Sequence, residues 1–221
     1  YLIKLTEPME EAAYLDAATI DVYDLPEGWS LTLDERMGAG DPAVSGRAIT
    51  YRRSATPSRV TNQSGVDVTS LVSHRDARAP DPGSIDHRFI GLLDQDQLLT
   101  VEFEKPIETG GAVLLADGWL EYGYSQTVFA AWQAGKRYQA PSLEVRDREG
   151  IWQPLLKEFG YPAGMPKQMA IPLTNLPPGT NAIRLSTNME IYWDRLQIVW
   201  EEPLQDSSPI TIQPVSARIR K

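Results

Sequence analysis

The sequence predicts an all-β fold, a β-sandwich of jelly-roll type with one short helix and long loops. Three observations carry that reading. Apolar and polar residues alternate in many short runs, the two-residue period of a strand with one buried face. The 17 Pro and 16 Gly among 221 residues break the chain too often for long helices. Helical spacing with an end signal occurs in one strong place, around Ser125–Gly135. The length suits a single domain, 1–221, with a core that needs no covalent staples.

Taken in order, YLIKLTE (Tyr1–Glu7) alternates and ends at Pro8, and Met9–Ala13 has helix formers. Ala18–Tyr23 is a strand by its Ile20/Val22 alternation, stopped by Leu25-Pro26-Glu27-Gly28; Trp29, Leu31 and Leu33 open the next. A Gly/Pro-rich loop over 36–48 leads to a β-prone Ala48–Arg53. The stretch 54–88 is polar and interrupted by Pro57, Pro80, Pro82 and Gly83, and is expected to be a long mobile loop with a short strand near Val66–Val72. Leu98–Glu104 alternates cleanly, and Ala112–Ala116 is apolar throughout, as a central strand would be. In the aromatic segment 117–138, Ser125 is placed to cap a helix whose apolar positions are Val128, Phe129, Ala131 and Trp132, closing at Gly135. Ser142–Arg146 and Trp152–Leu156 form a hairpin across Asp147–Gly150, Gln168–Leu173 is a strand, and the tail ITIQPVSARIRK adds a last one.

The longest strand-like run is Ala182–Trp200. Ile183, Leu185, Thr187, Met189, Ile191 and Trp193 share one parity; beyond Asp194 the apolar set shifts to Leu196, Ile198 and Trp200. A strand cannot exchange its buried face without a bulge or a corner. One unbroken strand of this length would also reach about 60 Å at ~3.3 Å per residue, too long for the domain. The expectation is two strands, Ala182–Met189 and Asp194–Glu201, hinged at Glu190–Trp193, with Glu190, Tyr192 and Asp194 gathered at the turn.

Composition excludes several function classes. The net charge of −9 argues against nucleic acid and against anionic membrane surfaces, both of which need basic patches. The absence of Cys removes disulfides, thiolate metal sites and cysteine nucleophiles. No apolar run approaches the roughly 20 residues that span a bilayer, so no transmembrane segment is expected. The chain opens at Tyr1 with no signal-peptide pattern, which suggests a processed N-terminus or a piece of something longer.

For chemistry, no G-x-S-x-G elbow is present, and His74 and His87 read as surface residues of a loop. No catalytic residue and no metal ligand set is assigned. No cofactor is expected, although loop carboxylates at Asp94, Asp96, Asp117 and Asp194 leave a structural calcium open. Glu121, Glu190 and Asp194 are the carboxylates a glycosidase reading would use. The binding candidates are Trp119, Tyr122, Tyr124, Asn188, Glu190, Tyr192 and Asp194: aromatic rings beside carboxylates and an amide suit either sugar stacking or a protein interface. Aromatics more often fill a core, and the parity argument places most of them inside. Tyr192 is the one placed off the core face.

The pieces TEPMEEAAYLDAATIDVYDLP, SLEVRDREG, FGYPAGMPKQM and IRLSTNMEIYWDRLQI together resemble the C-terminal β-rich region of bacterial secreted proteins with FG-GAP/VCBS repeats and an ASPIC/UnbV module, the cartilage-acidic-protein-like group. The resemblance extends over most of the chain, TNMEIYWDR being its most specific part; the repeats and the ASPIC/UnbV module are absent from this sequence. The layout also resembles galactose-binding-like jelly rolls in general form. The resemblance implies an exported, all-β, noncatalytic module, periplasmic or extracellular. The expected function is that of an accessory or structural subunit docking through protein partners onto a larger assembly. A carbohydrate-binding module with a glycan ligand, and a glycan hydrolase, are the alternatives.

Overall fold

The computed structural model describes residues 16–38, 46–204 and 209–216. The expected strand Tyr1–Glu7 and the helix formers at Met9–Ala13 lie outside them. The chain divides into two compact units, one of Tyr1–Glu27 with Leu204–Lys221 and one of Gly28–Pro203. In the first, β1 (Ile20–Val22) pairs antiparallel with β12 (Ile210–Ile212), Ile20 opposite Ile212 and Val22 opposite Ile210.

The second unit is a β-sandwich. Its strands are β2 (Ser30–Leu33), β3 (Ala48–Ala55), β4 (Arg59–Thr61), β5 (Leu92–Glu102), β6 (Ala112–Leu120), β7 (Ser142–Arg146), β8 (Trp152–Leu156), β9 (Ala170–Pro172), β10 (Ala182–Met189) and β11 (Ile191–Glu201), with α1 (Ser125–Gln133) between β6 and β7. One antiparallel sheet runs β4-β5-β10-β7-β8, the other β2-β3-β11-β6-β9. Most successive strands lie in different sheets, so the chain keeps crossing the core. The main core is filled from the first sheet by Leu99, Val101, Leu143, Val145, Ile183 and Leu185, and from the second by Leu114, Ala116, Ile171, Ile191, Trp193, Leu196 and Ile198. A further cluster, Ile49, Tyr51, Val113, Leu115, Ala170 and Val199, buries the second sheet's other face. That explains the unbroken apolar run at Ala112–Ala116, whose residues are all buried.

Three expectations need correction. The short strand expected near Val66–Val72 is a 3₁₀ turn at Thr69–Leu71, and the stretch 54–88 supplies Val60, Val68 and Val72 to the core. Ser125 does not cap α1: Tyr124 occupies the N-cap position, with no side-chain hydrogen bond there. The helix does close at Gly135 (φ 76°). Lys136 N–H donates to Ala131 O and Gly135 N–H to Trp132 O, the paired bonds of a Schellman motif. Finally, the helix does not bury its apolar positions. Only Ala131 is buried, against Phe89 and Leu92. Val128, Phe129 and Trp132 are 42%, 57% and 53% exposed.

Candidate functional site

The turn between β10 and β11 falls at Glu190, and β11 begins at Ile191 rather than at Asp194. The break and the change of parity are separate events. Glu190 carries the chain across the corner: its N–H donates to Gly91 O, and its carbonyl accepts from Glu121 N–H. The parity changes at a bulge, where the β11–β6 register shifts between Trp193 and Arg195 and leaves Asp194 without a partner on β6. The close approach depends on two glycines. A Cβ at Gly91 (φ 75°) would lie 2.2 Å from Glu121 O, and one at Gly118 would lie 2.3 Å from Tyr192 O.

Cross-strand register sets Tyr192 opposite Trp119 on the face turned away from the main core. Their rings stack 5.6 Å apart at 9°. Tyr192 Oη donates to Glu190 Oε1 at 2.6 Å. Burial, then that bond, push the Tyr192 phenol up to about 12, with Asp81 and Glu121 adding to the shift. Tyr192 also lines an open groove of about 570 Å³ walled by Ala79–Ile85 and His87.

The other polar candidates have structural work. Asp194 is buried, and its Oδ1 accepts from the backbone N–H groups of Asp76 (3.0 Å) and Ala77 (3.1 Å), tying the loop after Val72 to the corner. Ala77 there has φ 62°. Arg195 Nη2 lies 2.5 Å from Asp117 Oδ2. Burial pushes the Asp117 carboxyl up while Arg195 pulls it back. Asn188 clamps the segment after α1, donating from Nδ2 to Arg137 O and accepting at Oδ1 from Gln139 N–H, both at 2.8 Å.

The seven candidates therefore separate. Trp119, Glu190 and Tyr192 form one cluster, whereas Asn188 and Asp194 brace the chain. Tyr122 and Tyr124 are 43% and 53% exposed and meet edge to face at 6.1 Å, leading into α1. Sequence reading missed the outward placement of Phe129 and Trp132, whose rings stack 5.6 Å apart. The available signal was small Ala131, one turn after Thr127, which lets the helix lie close to its support while its large side chains turn out. Ile90 is also exposed; its N–H is held by Thr127 Oγ1 and its carbonyl by Tyr138 Oη.

Among the described residues no three His, Asp or Glu side chains converge as metal ligands, and no helix is long and apolar enough to cross a membrane. No family model, curated protein or solved structure matches the chain.

Proposed function

We propose that this protein is a noncatalytic docking module, an accessory subunit that joins a larger periplasmic or extracellular assembly through the aromatic surface around α1. The observation that carries this reading is the outward placement of Val128, Phe129 and Trp132 on α1, with Tyr122 and Tyr124 exposed just before the helix and Ile90 exposed where its N–H bonds Thr127. With aromatic side chains of 150–250 Å² each, these residues expose roughly 500 Å² in total. Apolar patches of that size on a soluble protein tend to be functional. Tyr and Trp are also the residues that anchor interfaces. Phe129 and Val128 have nothing to offer a sugar hydroxyl, so a protein partner fits this surface better than a glycan. The net charge of −9 favours a partner with basic residues around its own apolar patch. The exported setting rests on the resemblance to secreted repeat proteins. A glycosidase reading is weakened by Asp194, which is committed to the amides of Asp76 and Ala77.

The test is reconstitution. A partner retained by the wild-type protein in its native host is purified and titrated against Phe129→Ser/Trp132→Ser and against Ile151→Ser, a control at an exposed residue outside the patch. The expected result is a defined complex with wild type and control, at least tenfold weaker binding by the double variant, and slowed amide exchange over α1 on binding. Equal binding by the double variant overturns the reading.

A further inference from the structure

We propose that the corner between β10 and β11 is a receptor for one cationic side chain, a lysine or arginine carried by the docking partner. The proposal rests on the docking reading above and adds a specific anchor to it.

Five acidic side chains are buried among the described residues: Asp34, Asp86, Asp117, Glu190 and Asp194. Three have an arginine, namely Arg36, Arg88 and Arg195. Asp194 has two backbone N–H groups. Glu190 is 6% exposed, and its carboxylate has only the Tyr192 hydroxyl among the described residues. A buried carboxylate without a cation is costly, and pairing recovers much of that cost. Of these five, Glu190 is the one whose carboxylate has neither an arginine nor a backbone N–H among the described residues.

The aromatic residues show the same pattern. Arginine guanidinium groups lie over Trp29, Trp132, Trp152 and Trp200, at 5.6, 5.7, 3.9 and 4.8 Å from the ring centroids. Trp193 is in the core. Trp119, half-buried, has none among the described residues; its neighbour is Tyr192. A stacked Trp–Tyr pair beside a carboxylate that has no cation among the described residues suits one, which gains from both the ring quadrupole and the charge. Tyr192 also faces an open groove whose walls, Pro80, Pro82 and Ile85, accommodate the aliphatic stem of a lysine or arginine. Exposed Asp81 stands at its rim.

A sugar fits this groove less well. Its lining has no Asn or Gln. Asp81 Oδ1 already accepts from Gly83 N–H, and Ser84 Oγ from its side bonds Asp94 Oδ2. Asp81 and Ser84 are thus partly engaged, leaving His87 as the lining's remaining polar side chain besides Tyr192, whereas a cation needs only the negative potential.

The probes are acetyl-Gly-Arg-Gly-amide, its lysine analogue, and its norleucine analogue, which keeps the stem without the charge. Binding is followed by NMR shifts of the Trp119 indole and the Tyr192 ring in the whole chain, with a neutral cello-oligosaccharide as a further arm. The arginine and lysine peptides are expected to give saturable shifts that norleucine does not. Glu190→Gln should weaken binding about tenfold, the loss of one charge-assisted contact. Asp81→Asn, at an exposed position where the amide oxygen can still accept from Gly83, should weaken it roughly threefold without risk to folding. Equal shifts from the norleucine peptide, unchanged affinity in both variants, or saturation by the oligosaccharide instead would each overturn the proposal. Phe129→Ser/Trp132→Ser keeps the peptide response, so failure here and failure of the docking surface are read separately.

Discussion

Asp194→Ala should release the loop after Val72 and cost the fold about 2–4 kcal/mol. Asp194 Oδ1 accepts two backbone N–H bonds, at 3.0 and 3.1 Å, from Asp76 and Ala77. A hydrogen bond to a charged group contributes roughly 1.5–3 kcal/mol net. The sum belongs near the lower end, because both amides sit on an exposed stretch and rehydrate once released. The bonds also hold Ala77 at φ 62°, a conformation costing a non-glycine residue about 1 kcal/mol and kept only while its surroundings impose it. Asp194→Asn keeps an acceptor but loses the charge, and should cost about half as much.

The assay is urea unfolding followed by tryptophan emission, since Trp193 lies fully in the core. Amide exchange at residues 76 and 77 is measured alongside it. The expected outcome is a lower midpoint, an unchanged slope, and exchange at both amides accelerated far more than at β10. An Asp194→Ala variant within ~0.5 kcal/mol of wild type, with both amides still slow, would refute the bracing role; changes that small are typical of surface positions. So would a calcium-dependent rise in wild-type Tm that Asp194→Asn abolishes, because the carboxylate would then be a ligand.

Other consequences can be checked directly. Ultraviolet titration should find the Tyr192 phenol ionising at about 12, and Glu190→Gln should lower that value without restoring the ordinary one, since burial, the larger cause, remains. Gly118→Ala places a Cβ 2.3 Å from Tyr192 O; β6 and β11 must separate, at roughly 3 kcal/mol, the upper range for overpacking, read as a lower urea midpoint with loss of the Trp119–Tyr192 contact by NMR. The Arg88 guanidinium holds the Asp86 carboxyl down at about 2. The stability of wild type over Arg88→Ala is therefore complete above the unfolded carboxylate value of about 3.9 and disappears as pH falls through about 2. Asp117 runs the other way. Its raised value means that wild type loses ground against Asp117→Asn as pH rises through the folded Asp117 value, seen as a steeper fall of the urea midpoint.

The strands were legible because burial on one face writes a period of two. β7 and β8 fall where alternation and the Asp147–Gly150 turn place them. The parity change in Ala182–Trp200 foretold a fault in the strand. It could not show that the fault has two parts, because a corner and a bulge leave the same mark in the alternation. The polar stretch 54–88 misled for another reason: Val60 reaches the core from the three-residue β4, and Val68 and Val72 from the two ends of a 3₁₀ turn, segments too short to write a period. The pairing of acids with arginines was written more openly than it was read. Asp-x-Arg recurs at 34–36, 76–78 and 86–88, and each pair closes an ion pair at 2.6–2.7 Å. Within the site, Tyr192 was placed correctly off the core by parity. The direction of α1 was not, because helical spacing defines an apolar face without saying whether that face meets the core or the solvent.

That outward face is held firmly, which matters for what it can do. A nine-residue helix is too short to be stable by its own hydrogen bonds. Here it is fastened at several points. Ala131 packs on Phe89 and Leu92, Thr127 Oγ1 takes the Ile90 amide, and the Schellman turn closes at Gly135. Asn188, on β10, then grips the backbone at Arg137 and Gln139. Side chains whose backbone is already fixed lose less entropy when a partner arrives, and that saving appears as affinity. Loosening one fastening should therefore weaken docking without touching the surface itself. Asn188→Ala removes both bonds to the segment after α1 and leaves Phe129 and Trp132 in place. The expected result is a partner complex several-fold weaker, about 1 kcal/mol for a lost clamp of this kind, with faster amide exchange across α1 in the free protein. If exchange over α1 rises and affinity holds, rigidity is irrelevant to the interface, and the aromatic side chains alone account for binding.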